Sequence, residues 1–252
     1  MKKLLYLSLA LTLILFSCER SPEAQFSVDT LEPEVGQEVF FNNESHNAVD
    51  YEWDFGDGFI SNDPNPVHTY TGTGKFDVIL KVWSGGGVSD EATITITVMI
   101  PTLLEIEVLE YYDEYTVADA SVYLYPTLPD WETHQSENAE VEGYTDDDGV
   151  VVFSHLGPYV YYVDVWEAHH DNYDLKAEDV AFIRTDEIIP HKINRFTAWV
   201  DYFETHTKGS ATGSRGVIVR KLERKAADKI QPSAVGGSED WQMLYNKSIK
   251  LK

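Results

Sequence analysis

The stretch Tyr51-Glu52-Trp53-Asp54-Phe55-Gly56-Asp57-Gly58 decides how the first half of this 252-residue chain is read. Trp53 and Phe55 supply apolar side chains at strand spacing, while Gly56 and Gly58 permit the positive φ of a tight turn. Asp54 and Asp57 are placed to close that turn by accepting hydrogen bonds from backbone amides. A catalytic or calcium role is the alternative for the two aspartates. The turn-closing role is preferred, because Asp beside Gly is ordinary turn chemistry.

Working outward, Pro66-Val67-His68-Thr69-Tyr70 and Gly74-Lys75-Phe76 follow, and Phe76, Val78, Leu80 and Val82 repeat the two-residue period of a half-buried strand. Thr93-Ile94-Thr95-Ile96-Thr97-Val98 is the clearest strand, with apolar residues on one face and threonines on the other. Short strands alternating with turn clusters from Ala24 to Val98 predict an antiparallel sandwich. Tyr70 is expected to make a corner contact near the strand after Gly74, and His68 to serve as packing or as a surface residue. Taken with Phe26, and with Gly36 before Val39 and Phe41, these residues resemble a PKD domain over residues 22–99. The resemblance implies an immunoglobulin-like β-sandwich acting as a spacer or adhesion surface.

After Pro101, Leu104, Ile106 and Val108 alternate with Glu105 and Glu107, and further β-patterned runs follow at 120–125, 150–153, 159–166 and 193–203. The segment Thr145-Asp146-Asp147-Asp148-Gly149, with Ala120 to Tyr125 upstream, resembles prealbumin-like modules of the carboxypeptidase regulatory-like type over 101–204. That resemblance implies a second small sandwich, with Thr145, Asp146 and Gly149 in its strand-linking turn. Residues 126–142 and 167–192 depart from the compact pattern and are expected to be extended loops, with a short helical turn at Asp179 to Ile183. The fold class expected is therefore all-β: two tandem antiparallel sandwiches followed by a short basic segment, 205–252.

That segment differs in kind. Residues 204–252 hold ten basic and five acidic side chains, whereas 19–203 hold seven basic and 38 acidic. Attraction between tail and body is expected at low ionic strength and should fade over about 8 Å at physiological salt. Residues 207–216 read as a flexible linker. Val219, Leu222, Ala226 and Ile230 recur at helical spacing among basic residues, and Trp241 to Leu251 carries enough apolar side chains to add a strand to a sheet edge. The formal charge of -24 excludes nucleic acid as a partner of the whole chain, because phosphate neutralisation needs a cationic surface.

The only cysteine, Cys18, rules out a disulfide framework and multi-cysteine metal sites. It follows Lys2, Lys3, an apolar run from Leu4 to Phe16, and Ser17. The run is too short to span a membrane and has the proportions of a secretory signal. Leu15-Phe16-Ser17-Cys18 resembles a bacterial lipobox, which implies cleavage after residue 17, lipidation of Cys18 and a tethered segment 18–21. Several acyl chains, at about 0.8 kcal/mol per buried methylene, make an anchor that dissociates little. Glu19 is not an inner-membrane retention residue, so the outer membrane or the cell surface is favoured.

No string carries a nucleophile, base or metal constellation, and catalysis is not expected. His169-His170-Asp171, after Glu167, raises a metal-dependent hydrolase as one alternative, but adjacent residues rarely converge on one ion and solvated loop residues are preferred. Asp146 and Asp148 are the calcium candidates, against a plain turn. Aromatic residues make 13% of the chain. Along 159–166 one face takes Tyr159, Tyr161, Val163 and Val165, leaving Tyr162 and Trp166 beside Asp164. Tyr123 and Tyr125 share a face opposite Val122 and Leu124. These four aromatics are the candidate platform for sugar rings or a protein partner; burial between domains or under the tail is the preferred alternative. The function expected is a non-catalytic adhesion, binding or scaffold module for proteins or polysaccharides at the cell envelope. A glycan-binding accessory subunit of a polysaccharide-uptake system is the main alternative.

Overall fold

The computed structural model describes residues 20–203, 229, 234–236 and 241–250. Cys18, the linker at 207–216 and nearly all of the helix expected over 219–230 lie outside these residues. The chain divides into two units between Met99 and Ile100.

In the first unit, period-two alternation produces seven strands: β1 (Phe26–Val28), β2 (Glu38–Asn43), β3 (Asp50–Asp54), β4 (Ile60–Ser61), β5 (Val67–Thr69), β6 (Gly74–Trp83) and β7 (Ser89–Val98). They form two antiparallel sheets, ordered β1-β2-β5 and β4-β3-β6-β7. β6 and β7 pair from Gly74 opposite Val98 to Trp83 opposite Ser89. Val78, Leu80, Val82, Ile96 and Val98 turn inward as their spacing predicts, while Thr93 and Thr95 face solvent. Val39, Phe41 and Phe26 meet them from the other sheet, and Trp53 lies between. Its ring stands edge-on to Phe26 at 5.0 Å, and its Nε1 donates to the Asp63 carbonyl at 2.9 Å. The buried indole therefore keeps its polar group satisfied.

The second unit contributes β8 (Leu103–Glu110), β9 (Ser121–Tyr125), β10 (Val141–Tyr144), β11 (Val150–Ser154), β12 (Tyr162–Glu167), β13 (His170–Asp171), β14 (Ile193–Tyr202), β15 (Ala234–Gly236) and β16 (Ile249–Lys250). They run in the order β10-β9-β12-β13-β14-β8-β11-β16, with β15 beside β14. Leu104, Ile106, Val108, Val151, Phe153 and Val200 from one side, and Val122, Leu124, Val163 and Val165 from the other, close one sandwich core. The all-β class holds, with a departure from antiparallel pairing. β8 and β14 run parallel from Leu103–Ile193 to Glu110–Val200, and β11 and β16 are also parallel. The long path between β8 and β14 makes that parallel pairing possible, since a hairpin cannot produce it.

The expectation of extended loops at 126–142 and 167–192 is corrected. The first folds into the helix Leu128–Thr133, a 3-10 turn Ser136–Asn138 and the start of β10. Thr127 caps that helix by accepting from the Asp130 amide, and a proline sits in its first turn. The second holds β13 and the 3-10 turns Asp174–Ala177 and Val180–Phe182, the latter, capped by Asp179 and ending at Ile183, being the short helical turn expected there. Trp131, Leu175, Phe182 and Ile183 from these segments bury against Tyr123, Tyr125, Tyr111 and Trp199, a second apolar cluster on the outer side of the β9–β12 face.

The strand expected over Trp241 to Leu251 is corrected too. Trp241–Lys247 is a helix that buries Trp241 and Leu244, and only Ile249 and Lys250 pair, against Phe153 and Ser154. The apolar residues Trp241, Leu244 and Tyr245 stand three and four apart, which is helical spacing. Among the described residues no helix is long and apolar enough to cross a membrane.

Gly143 marks a close approach within the second sandwich. A Cβ there would lie 2.4 Å from Ile249 Cδ1 and 2.8 Å from Val151 Cγ2. Gly143→Ala should destabilise the protein by about 1–3 kcal/mol in urea unfolding. In that background, Ile249→Ala should cost less than it does in the wild type, because it relieves the nearest clash. Additive losses would show that Ile249 does not pack there.

Candidate functional site

The Trp53–Gly58 turn is built as its residues predict. Asp54 Oδ1 accepts the Gly56 amide at 2.9 Å, and Asp57 Oδ1 accepts the Phe59 amide at 3.2 Å. Gly56 has φ +80, and a Cβ would stand 2.9 Å from the Asp77 carbonyl oxygen, so both conformation and space demand glycine. His68 is more than a packing residue. Its Nε2 lies 2.8 Å from Asp57 Oδ2, and its ring stacks on Phe55 at 4.2 Å. Tyr70 stacks on Phe76 at 4.7 Å, near the strand after Gly74, its Oη donates to the Phe55 carbonyl at 3.2 Å, and burial pushes that phenol above its ordinary range, with Asp57 adding to it.

The turn Thr145–Gly149 follows the same logic. Thr145 Oγ1 accepts the Ala120 amide at 2.9 Å and donates to the Val117 carbonyl at 2.7 Å. Asp146 Oδ1 accepts the amides of Asp148 and Val150, and Oδ2 accepts from Lys247 Nζ at 3.2 Å. Its partial burial pushes the carboxyl up, but the Val150 amide, Lys247 and the Asp148 amide outweigh this and hold it below the ordinary value. Both oxygens of this calcium candidate are thus engaged, one by an ammonium, and the Asp148 side chain points to solvent. Among the described residues no three His, Cys, Asp or Glu side chains converge as a metal site.

The open aromatic platform is corrected. Tyr123 and Tyr125 do share a face, but they are only 8% and 1% exposed, and Tyr162 and Trp166 are half-buried. The helix Leu128–Thr133 and the turns near 175–183 cover that face. Trp131 lies flat against Tyr173 at 5.3 Å, and its Nε1 donates to the Val163 carbonyl at 2.9 Å. Asp164, between Tyr162 and Trp166, is buried and paired with His134 Nδ1 at 3.0 Å.

The solvated-loop reading of His169–Asp171 is likewise corrected. His170 and Asp171 are buried strand residues of β13. His170 Nδ1 lies 2.7 Å from Glu167 Oε2, and its Nε2 lies 2.7 Å from the Tyr115 hydroxyl. In the neutral ring Nδ1–H donates to the carboxylate and Nε2 accepts the phenol proton, so both nitrogens are engaged within the protein. Burial, then Glu110, pushes Tyr115 up to about 12, which keeps it a phenol and not a nucleophilic phenolate.

A surface missed in the sequence lies at the opposite end of β12. Pro126, Glu140, Pro158, Tyr159, Val160 and Glu187 line an open groove of about 470 Å³. Strand spacing predicted Tyr159 on the buried face with Tyr161, yet pairing begins only at Tyr162 and Tyr159 is 61% exposed. Gly157 lets the ring lie close over the backbone, since a Cβ there would meet Tyr159 Cε2 at 2.4 Å. The Ile188 amide donates to the Tyr159 carbonyl at 3.0 Å, fixing the rim, and buried Tyr161 accepts the Gly157 amide at 3.1 Å below it. The Gly157-Pro158 turn just before the strand was the sequence signal for this break. A ring face beside two carboxylates can stack on an apolar surface and accept hydroxyl protons from the same ligand.

Residues 20–99 match the family model for the PKD domain. Collagenase ColQ1 of Bacillus cereus (strain Q1) is 40% identical over 65 residues, 26% of this chain and 7% of the collagenase, so this chain spans a small fraction of that relative. The PKD1 domain of Vibrio anguillarum Epp is 33% identical, with 33% of this chain and 99% of that chain covered at a TM-score of 0.30. The major pilin subunit BcpA of Bacillus cereus is 9% identical, with 72% and 70% covered and a TM-score of 0.38.

Glu167 yields a pH signature. Burial raises its pKa, but the bonds from His170 and from the His169 and Ala168 amides outweigh this, so the native value lies below its ordinary 4.5. Its stabilising contribution is present above that value and is lost as pH falls through the lower native one. Chemical-denaturation stability measured from about pH 6 to pH 3 should therefore fall less steeply in Glu167→Gln than in wild type. Parallel curves would remove the role given to Glu167.

Proposed function

We propose that this chain is a non-catalytic binding or scaffold module of the cell envelope, tethered through Cys18, with a PKD-type sandwich as spacer and a prealbumin-like second sandwich carrying the binding surface. The observation that carries this reading is the open groove around Tyr159, whose volume of about 470 Å³ falls in the range of small-ligand sites. By contrast, Asp54, Asp57, His68, Asp146, Glu167 and His170 are committed to backbone amides, to Lys247 or to each other. A fold that spends its reactive groups on turns keeps shape and aromatic surface for recognition. No cofactor belongs to this reading, and calcium at Asp146 and Asp148 would have to displace Lys247.

The specific reading favoured by Tyr159, Glu140 and Glu187 is a glycan-binding accessory role. Sugar rings present an apolar face for the tyrosine and hydroxyl donors for the carboxylates. In affinity electrophoresis against neutral and anionic polysaccharides, with and without calcium, at least one polymer should retard the protein. Tyr159→Ala should abolish that retardation at an unchanged thermal midpoint, whereas no retardation by any polymer would favour a protein partner.

The anchor is tested separately. Cys18→Ser should move the protein from the membrane fraction to the soluble fraction and abolish incorporation of an alkyne-labelled fatty acid. Retention of label would overturn lipidation at Cys18.

A further inference from the structure

One lysine of the basic C-terminal segment is held on the body of the second unit in a setting no motif predicted. Lys229 Nζ stands 4.4 Å from the centroid of the Trp199 ring and 5.4 Å from that of Tyr111, and it is ion-paired with Glu114. The edge of the same indole recognises the main chain: Trp199 Nε1 donates to the Lys229 carbonyl oxygen at 3.3 Å. One tryptophan therefore reads two features of a single residue, the ammonium with its face and the peptide carbonyl with its N–H.

The receptor is built by the fold. Trp199 lies on β14 and Tyr111 just past the end of β8, both buried, and the Tyr111 amide donates to the Val200 carbonyl at 2.9 Å. Phe182 backs Tyr111 at 5.8 Å, and Tyr111 and Trp199 meet edge to face at 6.1 Å. Glu114 adopts positive φ, 58°, and its amide donates to the Glu110 carbonyl at 3.1 Å, closing the short turn that presents its carboxylate. The ammonium side chain is 19% exposed. Two aromatic faces and one carboxylate around a largely desolvated ammonium are the chemistry of cation recognition.

We propose that Tyr111, Trp199 and Glu114 form a binding site for a peptidyl lysine, filled in cis by Lys229. The site selects an alkylammonium carried on a residue with a free peptide carbonyl, and its occupant clamps the basic segment to the acidic body. A lysine presented by another chain is the competing ligand whenever Lys229 is withdrawn.

The test uses the full chain with 5-fluorotryptophan, the Trp199 resonance being assigned by Trp199→Phe. In Lys229→Ala, Nα-acetyl-lysine N-methylamide should shift that resonance saturably. The norleucine analogue, which lacks the ammonium, should bind at least about tenfold more weakly. Wild type should need a much higher ligand concentration, and Glu114→Gln combined with Lys229→Ala should bind more weakly than Lys229→Ala alone. Lack of a saturable shift in Lys229→Ala, or equal responses to the lysine and norleucine compounds, would overturn the site. Acetylation footprinting of the unaltered protein supplies a second reading: Lys229 should react more slowly than Lys247, and equal rates would show that Lys229 is not held in the cage.

Discussion

Strand β9 is buried on both faces, and much of the second unit is a response to that constraint. All five residues, Ser121–Tyr125, are buried. Val122 and Leu124 are satisfied by the opposite sheet, as in any sandwich. Tyr123 and Tyr125 need a cover of their own, and a two-layer sandwich has none to offer. The helix Leu128–Thr133 and the turns around Leu175 and Phe182 supply it, which makes this side of the molecule a third layer. The same segments complete the hydrogen bonding of β12. Asn172 presents its side-chain amide as a substitute strand, accepting the Val165 amide at 3.0 Å and donating to the Val163 carbonyl at 2.7 Å. The Ile183 carbonyl takes the Val163 amide at 2.7 Å. A buried strand cannot leave these groups unpaired, so an insertion that reads as loop is as firmly specified as the strands.

The polar residues follow a matching economy. Asp54, Asp57, Asp146 and Thr145 each hold turn amides, and His68, His134 and His170 each pair with a carboxylate close to the main chain. The His68–Asp57 and His134–Asp164 pairs tie together segments 11 and 30 positions apart, whereas His170–Glu167 closes the β12–β13 hairpin. The proposed binding surfaces use an exposed ring ahead of β12, and an indole on β14 and a phenol past β8 that both belong to the second apolar cluster.

Much of the architecture is legible in the sequence because alternation is a local signal. Val78, Leu80 and Val82, or Ile106 and Val108, announce their faces without reference to any distant residue. The turn chemistry of Asp54 to Gly58 and of Thr145 to Gly149 is equally local. What remained hidden was whether a face already sorted by alternation has a second layer over it. Alternation places Tyr123 and Tyr125 on the correct face and burial is their preferred state, but what covers them is not legible, because Trp131 and Phe182 reach them from separate insertions. Tyr159 failed in the opposite sense: its spacing matched the buried face, but the ladder starts three residues later. His170 was misjudged because its partner Tyr115 is 55 positions away. The parallel run of β14 beside β8 could not be read from either strand alone, since direction is set by the path between them.

The two-residue strand Ile249–Lys250 has a bearing on solubility that its length understates. It ends the sheet order and lies along β11, whose other neighbour is β8. β11 reads Val-Val-Val-Phe-Ser, a β-prone run of low charge with the features of a self-associating template. By pairing with Phe153 and Ser154, Ile249–Lys250 occupies the edge of β11 that would otherwise be open to edge-to-edge growth.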